Sequence, residues 1–226
     1  MKPLVMYDNP TVYNNITKYL ESRGIVFDSL SVDDKIKVIQ KLERSCKSCS
    51  LHYESKYHNI PAVLNKNSKF VFIGRNPNGN ESKSNTLYPE GTRNGEIFKK
   101  YLSLLGIGEG EVSILNMCQC YGRGNRPVTQ EEISKCVSFK HMELSCLPDI
   151  RIIFTLGQDS LKWIYGLSHP GSMQCIGDVY ESEYNGRTIK VISLPHPSQV
   201  VLDKELAKET SKYLKSLRSI VDESRV

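Results

Sequence analysis

Four cysteines in this 226-residue chain stand at spacings that can hold a metal centre: Cys46 and Cys49 in CKSC, then Cys120 and Cys136. Two thiolates at C-x-x-C spacing can wrap one ion or cluster, and two distant cysteines can complete four-coordination. Spacing alone does not separate zinc from iron–sulfur, and four buried, inert cysteines are the plain alternative. Cys118, Cys146 and Cys175 read as small core hydrophobes, with Cys118 the rival ligand because it lies two residues from Cys120. A second set of polar residues recurs after short apolar runs. These are residues 74–77 (GRNP), 116–126 (NMCQCYGRGNR) and 196–198 (HPS). An imidazole, four carboxamides and three arginines at such places could bind and polarise a ligand.

The elements that must present them follow from hydrophobic periodicity. Residues 69–74 (KFVFIG), 111–117 (EVSILNM) and 151–156 (RIIFTL) are short apolar runs bounded by glycine or polar residues, as buried strands are. A hairpin is expected at 176–194 with its turn at Asn185-Gly186, its second limb being a fourth core strand. Helices are expected at 11–23, 31–44, 93–105 (stopped by Gly106), about 130–146 (capped by Thr129 with Glu132), 158–165, and from about Asp203 onward. Residues 75–92 read as a polar loop, and the glycines from Gly106 to Gly110 as a turn, since they follow a helix rather than a strand. Strands alternating with helices imply a three-layer α/β/α fold around a central four-stranded, mainly parallel sheet. Ligands of such sheets sit at the carboxyl ends of the strands, where the three polar segments lie.

Composition bounds the rest. The length suits a single domain over 1–226, with a helical N-terminal segment at 1–45 and metal-binding elements at 46–49 and 120–136. A net charge of +5 permits a nucleic-acid partner without demanding one. An odd count of seven cysteines argues against a closed disulfide framework. No apolar run approaches the ~20 residues of a membrane span, and the N-terminus lacks a signal-peptide pattern. A cytoplasmic monomer is expected.

In five ordered places the chain resembles the iron–sulfur (family 4) uracil-DNA glycosylases. They are CKSC at 46–49, FIGRNP at 72–77, NMCQCYGRGNRPVTQEEISKC at 116–136, TLGQDSLKWIYG at 155–166 and NGRTIKVISLPHPS at 185–198. The resemblance implies a 4Fe-4S cluster on Cys46, Cys49, Cys120 and Cys136. It departs at the first motif, where that family reads G-E-A-P-G. Arg75 takes the place of the glutamate, and G-x-N-P is similar to the mismatch-specific and single-strand-selective branches. In those branches the asparagine, here Asn76, holds the attacking water.

By the same resemblance the chain would flip a pyrimidine out of DNA and hydrolyse its N-glycosidic bond, leaving an abasic site. His196 would donate to the departing base, and Asn116 would read its edge. Tyr88, in a loop about two residues longer than the family's, would be the stacking aromatic. Gly74, Arg75 and Asn125 would complete the base site. Arg126, Ser198, Gln199 and Val200 would contact DNA, with Arg123 and Lys162 as further phosphate contacts, and Val200 or Val201 would wedge into the vacated stack, burial of either at the start of the last helix being the alternative. The longer loop and Arg75 suit a bulkier base than uracil, such as a glucosylated hydroxymethylcytosine of phage DNA, which would make the chain an antiviral defence enzyme. A non-catalytic iron–sulfur protein that binds DNA or senses redox state is the competing class.

Overall fold

In the computed structural model of the protein, residues 2–3, 10–55, 59–165 and 178–225 are described. Cys175 and residues 176–177 of the expected hairpin lie outside them. The apolar runs are strands: β2 (Phe70–Gly74), β3 (Val112–Asn116), β4 (Ile152–Leu156) and β6 (Arg187–Leu194). All five residues of β2 and of β4 are buried, as expected of parallel strands covered on both faces.

The expectation of four strands needs correction. Among the described residues the sheet has six, in the order β1-β5-β6-β4-β2-β3. The first limb of the hairpin, β5 (Val179–Tyr184), pairs antiparallel with β6 along its whole length. The short β1 (Lys2–Pro3) then adds parallel to β5. The other pairings, β2 with β3, β2 with β4 and β4 with β6, are parallel. The hairpin turn is at Asn185-Gly186, with φ of 49° and 71°, the left-handed pair that a tight two-residue turn requires.

Side chains alternate across the sheet. Phe70, Phe72, Phe154, Ile192 and Leu194 face α5 (Arg93–Leu105) and α9 (Lys204–Ser216), meeting Phe98, Leu102, Leu105, Leu206 and Leu214. The small helix α10 (Arg218–Glu223) adds Val221 to the same core. Val71, Ile73, Ile153 and Val191 face the opposite way. They meet Ile133 and Leu144 of α6 (Gln130–Ser145) and Leu161 and Ile164 of α7 (Gln158–Tyr165). Phe72 stacks on Phe154 at 4.7 Å and meets Phe98 edge-on at 5.1 Å. A buried phenylalanine of this kind stabilises by about 3–5 kcal/mol relative to alanine. Outside α6 lies a further layer, α1 (Pro10–Glu21) and α2 (Val32–Ser45), whose Leu20 and Ile39 pack with Phe27 and Met142.

One polar knot lies inside this frame. Lys140 of α6 is fully buried and pairs with Glu143, with Glu43 of α2 at 3.9 Å. The Gln119 side chain donates to Glu43 at 2.8 Å and to Glu143 at 3.0 Å. Burial, reinforced by the neighbouring Glu143 carboxylate, pushes the Glu43 carboxyl well above its ordinary range. The knot fastens α2, α6 and the segment after β3 together.

Candidate active site

The carboxyl ends of β2 and β4 lie side by side, yet the chain leaves β2 toward β3 on one side and β4 toward β6 on the other. A crevice opens where the order reverses, the usual ligand site of open α/β sheets. A cavity of about 1210 Å³ occupies it. Its lining includes Arg75, Asn76, Asn125, Gly157, Asp159 and His196, with Ser198 and Gln199 beside them.

Gly74, Asn116 and Tyr88 are not among the lining residues; they form a buried floor that His196 reaches through Tyr88, where Gly74 ends β2 opposite Asn116, its register partner on β3. A Cβ on Gly74 would lie 2.4 Å from Asn116 Oδ1 and 3.4 Å from the Tyr88 phenol oxygen. Glycine is therefore required by close approach rather than by backbone angle, and the nearly buried Asn116 carboxamide fills the space.

His196 follows β6 as the N-cap of α8 (Pro197–Leu202), a helix that starts with proline at its first position. Gly157, at φ 88°, lets the chain turn after β4 with its missing Cβ facing His196 Cβ at 3.4 Å. The His196 N–H donates to Gln199 Oε1 at 3.0 Å. The Ser198 N–H donates to His196 Nδ1 at 3.2 Å, and Ser198 Oγ lies 2.8 Å from the same nitrogen. A nitrogen that accepts from a backbone amide carries no proton, so the neutral ring holds its hydrogen on Nε2. That nitrogen faces the Tyr88 phenol oxygen at 3.4 Å. Burial, helped by the charge of Arg75, lowers the His196 pKa from 6.5 to about 4. The ring is thus a neutral donor aimed at the floor where Gly74, Asn116 and Tyr88 meet.

Asn76 is held from both ends. Its Nδ2 donates to the carbonyls of Pro77 (3.2 Å) and Cys120 (3.4 Å), and its Oδ1 accepts from Arg75 Nε at 2.9 Å. Arg75 also reaches Asp159 at 3.2 Å and the Asn125 carbonyl at 3.3 Å.

Tyr88 is buried, and its ring stacks on Phe98 at 4.3 Å, so one of its faces is already covered. It adopts a left-handed φ of 47°. Its N–H is held by the carboxylate of Glu81 at 2.9 Å. Glu81 belongs to a short helix, α4 (Gly79–Ser84), inside the segment expected to be a loop. The same carboxylate closes a capping box with Asn78, and its burial raises its pKa.

Two residues expected to contact DNA are engaged within the protein itself. Val200 is buried at 6% exposure, one turn from Pro197 on the inner side of α8, while Val201 and Leu202 line the cavity and Leu202 is 84% exposed. The Arg126 guanidinium is clamped by Glu54 and Glu132, which raises its pKa and holds the Glu132 carboxyl at about 2. Arg126 ties α6 to α3 (Ser50–Glu54), another helix not expected from sequence. Sequence reasoning also missed Asp159, Phe98 and Glu81. Asp159, three residues past the end of β4, and the N-x-x-E of Asn78 and Glu81 were visible signals for two of them.

Cys46 ends α2, Cys49 caps α3, Cys120 follows β3, and Cys136 is within α6. The Cys120 thiol is pushed far up by burial and then by Cys136, Cys49 and Cys46; Cys49 is raised by burial, Cys136 and Cys46. Thiols that repel one another as thiolates lie within one neighbourhood, and a bound cation would relieve that repulsion, so the donor set fits a thiolate-held metal group. Among the described residues no three Cys, His, Asp or Glu side chains are already drawn into a coordination sphere. Cys118 hydrogen-bonds to Cys136 and packs at the edge of the same group. No helix among the described residues is long and apolar enough to cross a membrane.

The comparisons with known proteins agree on one family. A family model described as the uracil DNA glycosylase superfamily matches residues 61–218. A type-4 uracil-DNA glycosylase of Archaeoglobus fulgidus is 29% identical over 182 residues, covering 79% of this chain and 87% of its own length. One from Pyrobaculum aerophilum is 26% identical over 180 residues, covering 78% and 89%. The matched region runs from the segment before β2 into α10 and takes in every strand end that borders the cavity; this protein belongs to the uracil DNA glycosylase superfamily.

Proposed function

We propose that the chain is a monofunctional DNA glycosylase that everts uracil or a modified pyrimidine and hydrolyses its N-glycosidic bond. The observation that carries this is the fixed tautomer of His196, whose Nε2–H is aimed at the floor beside Asn116. The names of the two relatives support uracil as the reference substrate.

In this reaction the C1′–N bond breaks and its electron pair stays on the base. Charge gathers on a base carbonyl, where the His196 Nε2–H stabilises it. One preorganised donor of this kind is worth roughly 3 kcal/mol. The Asn116 carboxamide offers a donor and an acceptor to the base edge. Water then bonds to C1′ and releases a proton as the base anion takes one up. Asn76 cannot remove that proton, because an amide is not a base at neutral pH, but its Oδ1 can hold the water in line. Leu202, rather than Val200, is the apolar side chain exposed to enter the vacated stack. Cys46, Cys49, Cys120 and Cys136 would hold a 4Fe-4S cluster. Bound there, it would supply a cross-link between α2, α3, α6 and the loop after β3.

The cavity supports a base larger than uracil. Its 1210 Å³ exceeds the roughly 300–1,000 Å³ of ordinary ligand pockets, and Lys83, Glu90, Thr92, Arg93 and Asn94 give it a polar wall. Hydroxyls of a glycosylated pyrimidine could pair there, which would suit defence against phage DNA carrying such bases. Incubation with oligonucleotides bearing uracil, mismatched thymine or glucosylated hydroxymethylcytosine, followed by alkaline cleavage, tests both levels. Efficient cleavage of uracil alone removes the larger-base reading, and no cleavage of any removes the glycosylase reading. The purified protein should be brown if it carries iron–sulfur and colourless if it carries zinc.

A further inference from the structure

We propose that Arg75 is a positioning residue, whose guanidinium fixes the orientation of the Asn76 carboxamide and ties together the loops after β2, β3 and β4. The proposal rests on the glycosylase reading and deepens it. Nε donates to Asn76 Oδ1 at 2.9 Å, while the two outer nitrogens reach Asp159 at 3.2 Å and the Asn125 carbonyl at 3.3 Å. Asp159 opens α7 beyond β4, and Asn125 lies in the loop beyond β3. One planar fork therefore bridges three strand ends around the cavity.

The Asn76 amide has no freedom to turn over. Its NH₂ group is on two carbonyls and its oxygen is on a guanidinium, so a flipped amide would set donor against donor and acceptor against acceptor. A carboxamide oxygen has two lone pairs, and the one not used by Arg75 is left for a water. Lysine cannot replace this arrangement, because an ammonium is a point charge on a flexible stem rather than a fork.

Arg75 also bears on His196. The Tyr88 phenol from the loop before α5 and the Ser198 hydroxyl lie on that imidazole, and Arg75, ion-paired to Asp159 of α7, lines the same cavity. The positive charge opposes protonation of the ring, an effect separable from the fork geometry.

Arg75→Lys and Arg75→Gln, each checked for an unchanged unfolding midpoint, distinguish the two roles. The measurements are single-turnover base excision, KM, and the imidazole ¹⁵N titration of His196. Arg75→Lys should lower the excision rate on the order of tenfold to a hundredfold with little change in KM, while the His196 titration stays low. Arg75→Gln should lower the rate as much and move the titration upward. Excision by Arg75→Lys at the wild-type rate overturns the positioning role, and an unmoved titration in Arg75→Gln overturns the electrostatic one. A wild-type protein inert on every base offered overturns the glycosylase reading instead, and the titration still reports the effect of the Arg75 charge by itself.

Discussion

The phenol oxygen of Tyr88 lies 3.4 Å from Nε2 of His196, across the floor on which Gly74 and Asn116 meet. The one N–H of a neutral His196 ring is thereby offered to a side chain of the protein, in the place where the proposed reaction needs it on a base carbonyl. Tyr88 and substrate compete for one donor. Tyr88→Phe keeps the stack on Phe98 and removes the competitor. A neutral hydrogen bond is worth about 0.5–1.5 kcal/mol, so kcat/KM should rise about 2- to 10-fold. A fall in steady-state kcat/KM would mean that the hydroxyl assists the base instead.

Gly74→Ala tests the floor itself. The new Cβ would stand 2.4 Å from Asn116 Oδ1, so the carboxamide must move. Overpacking of this kind costs about 1–3 kcal/mol in stability, measurable by urea denaturation. Base excision should fall at least about tenfold, since a displaced edge-reader misplaces the base. Wild-type excision in a folded Gly74→Ala protein would show that Asn116 does not touch substrate.

His196 carries a pH signature. Its folded-state pKa, about 4, lies below the ordinary 6.5, so on acidification the unfolded chain takes up the proton first. The stability it contributes is complete above pH 6.5 and is lost as pH falls through about 4. His196→Ala should therefore flatten the stability–pH curve between those values. An identical curve in the variant contradicts a neutral, buried ring.

Lys140 is a buried charge whose partners are buried too. Lys140→Met leaves Glu143 without its counter-charge and should cost about 3–5 kcal/mol, whereas Lys140→Met with Glu143→Leu should recover much of it. Chemical denaturation of the pair measures the difference. Equal loss in the single and double variants would mean that packing, not charge, is what Lys140 supplies.

Much of this frame was legible in the sequence for local reasons. Strands β2 and β4 are continuous apolar runs, the Thr129–Glu132 capping box does start α6, and Asn185-Gly186 does turn the hairpin. What failed depended on partners distant in the chain. Arg126 looked available because Glu54 lies 72 residues away, and Arg75 meets Asp159 over a separation of 84. The resemblance implies Val200 or Val201 as a wedge on a loop at 196–202, with burial at the start of a helix as the alternative reading of those residues. Wound into α8, the same residues turn Val200 inward and Leu202 outward. The edge strand β1 was missed because two residues carry no periodicity, and α4 because a six-residue helix is shorter than the pattern used to find one. The convergence of residues 74, 88, 116 and 196 was foreshadowed only by the places of 74, 116 and 196 at strand ends and, for 88, by resemblance; their contacts are tertiary.

The most direct measurement is single-turnover abasic-site formation by the wild-type protein, His196→Ala and Asn76→Ala, with DNA binding followed in parallel. Excision should fall roughly a hundredfold for His196→Ala and at least about tenfold for Asn76→Ala while binding persists. Undiminished excision in both variants would contradict a catalytic floor built around the imidazole and the water-holding amide.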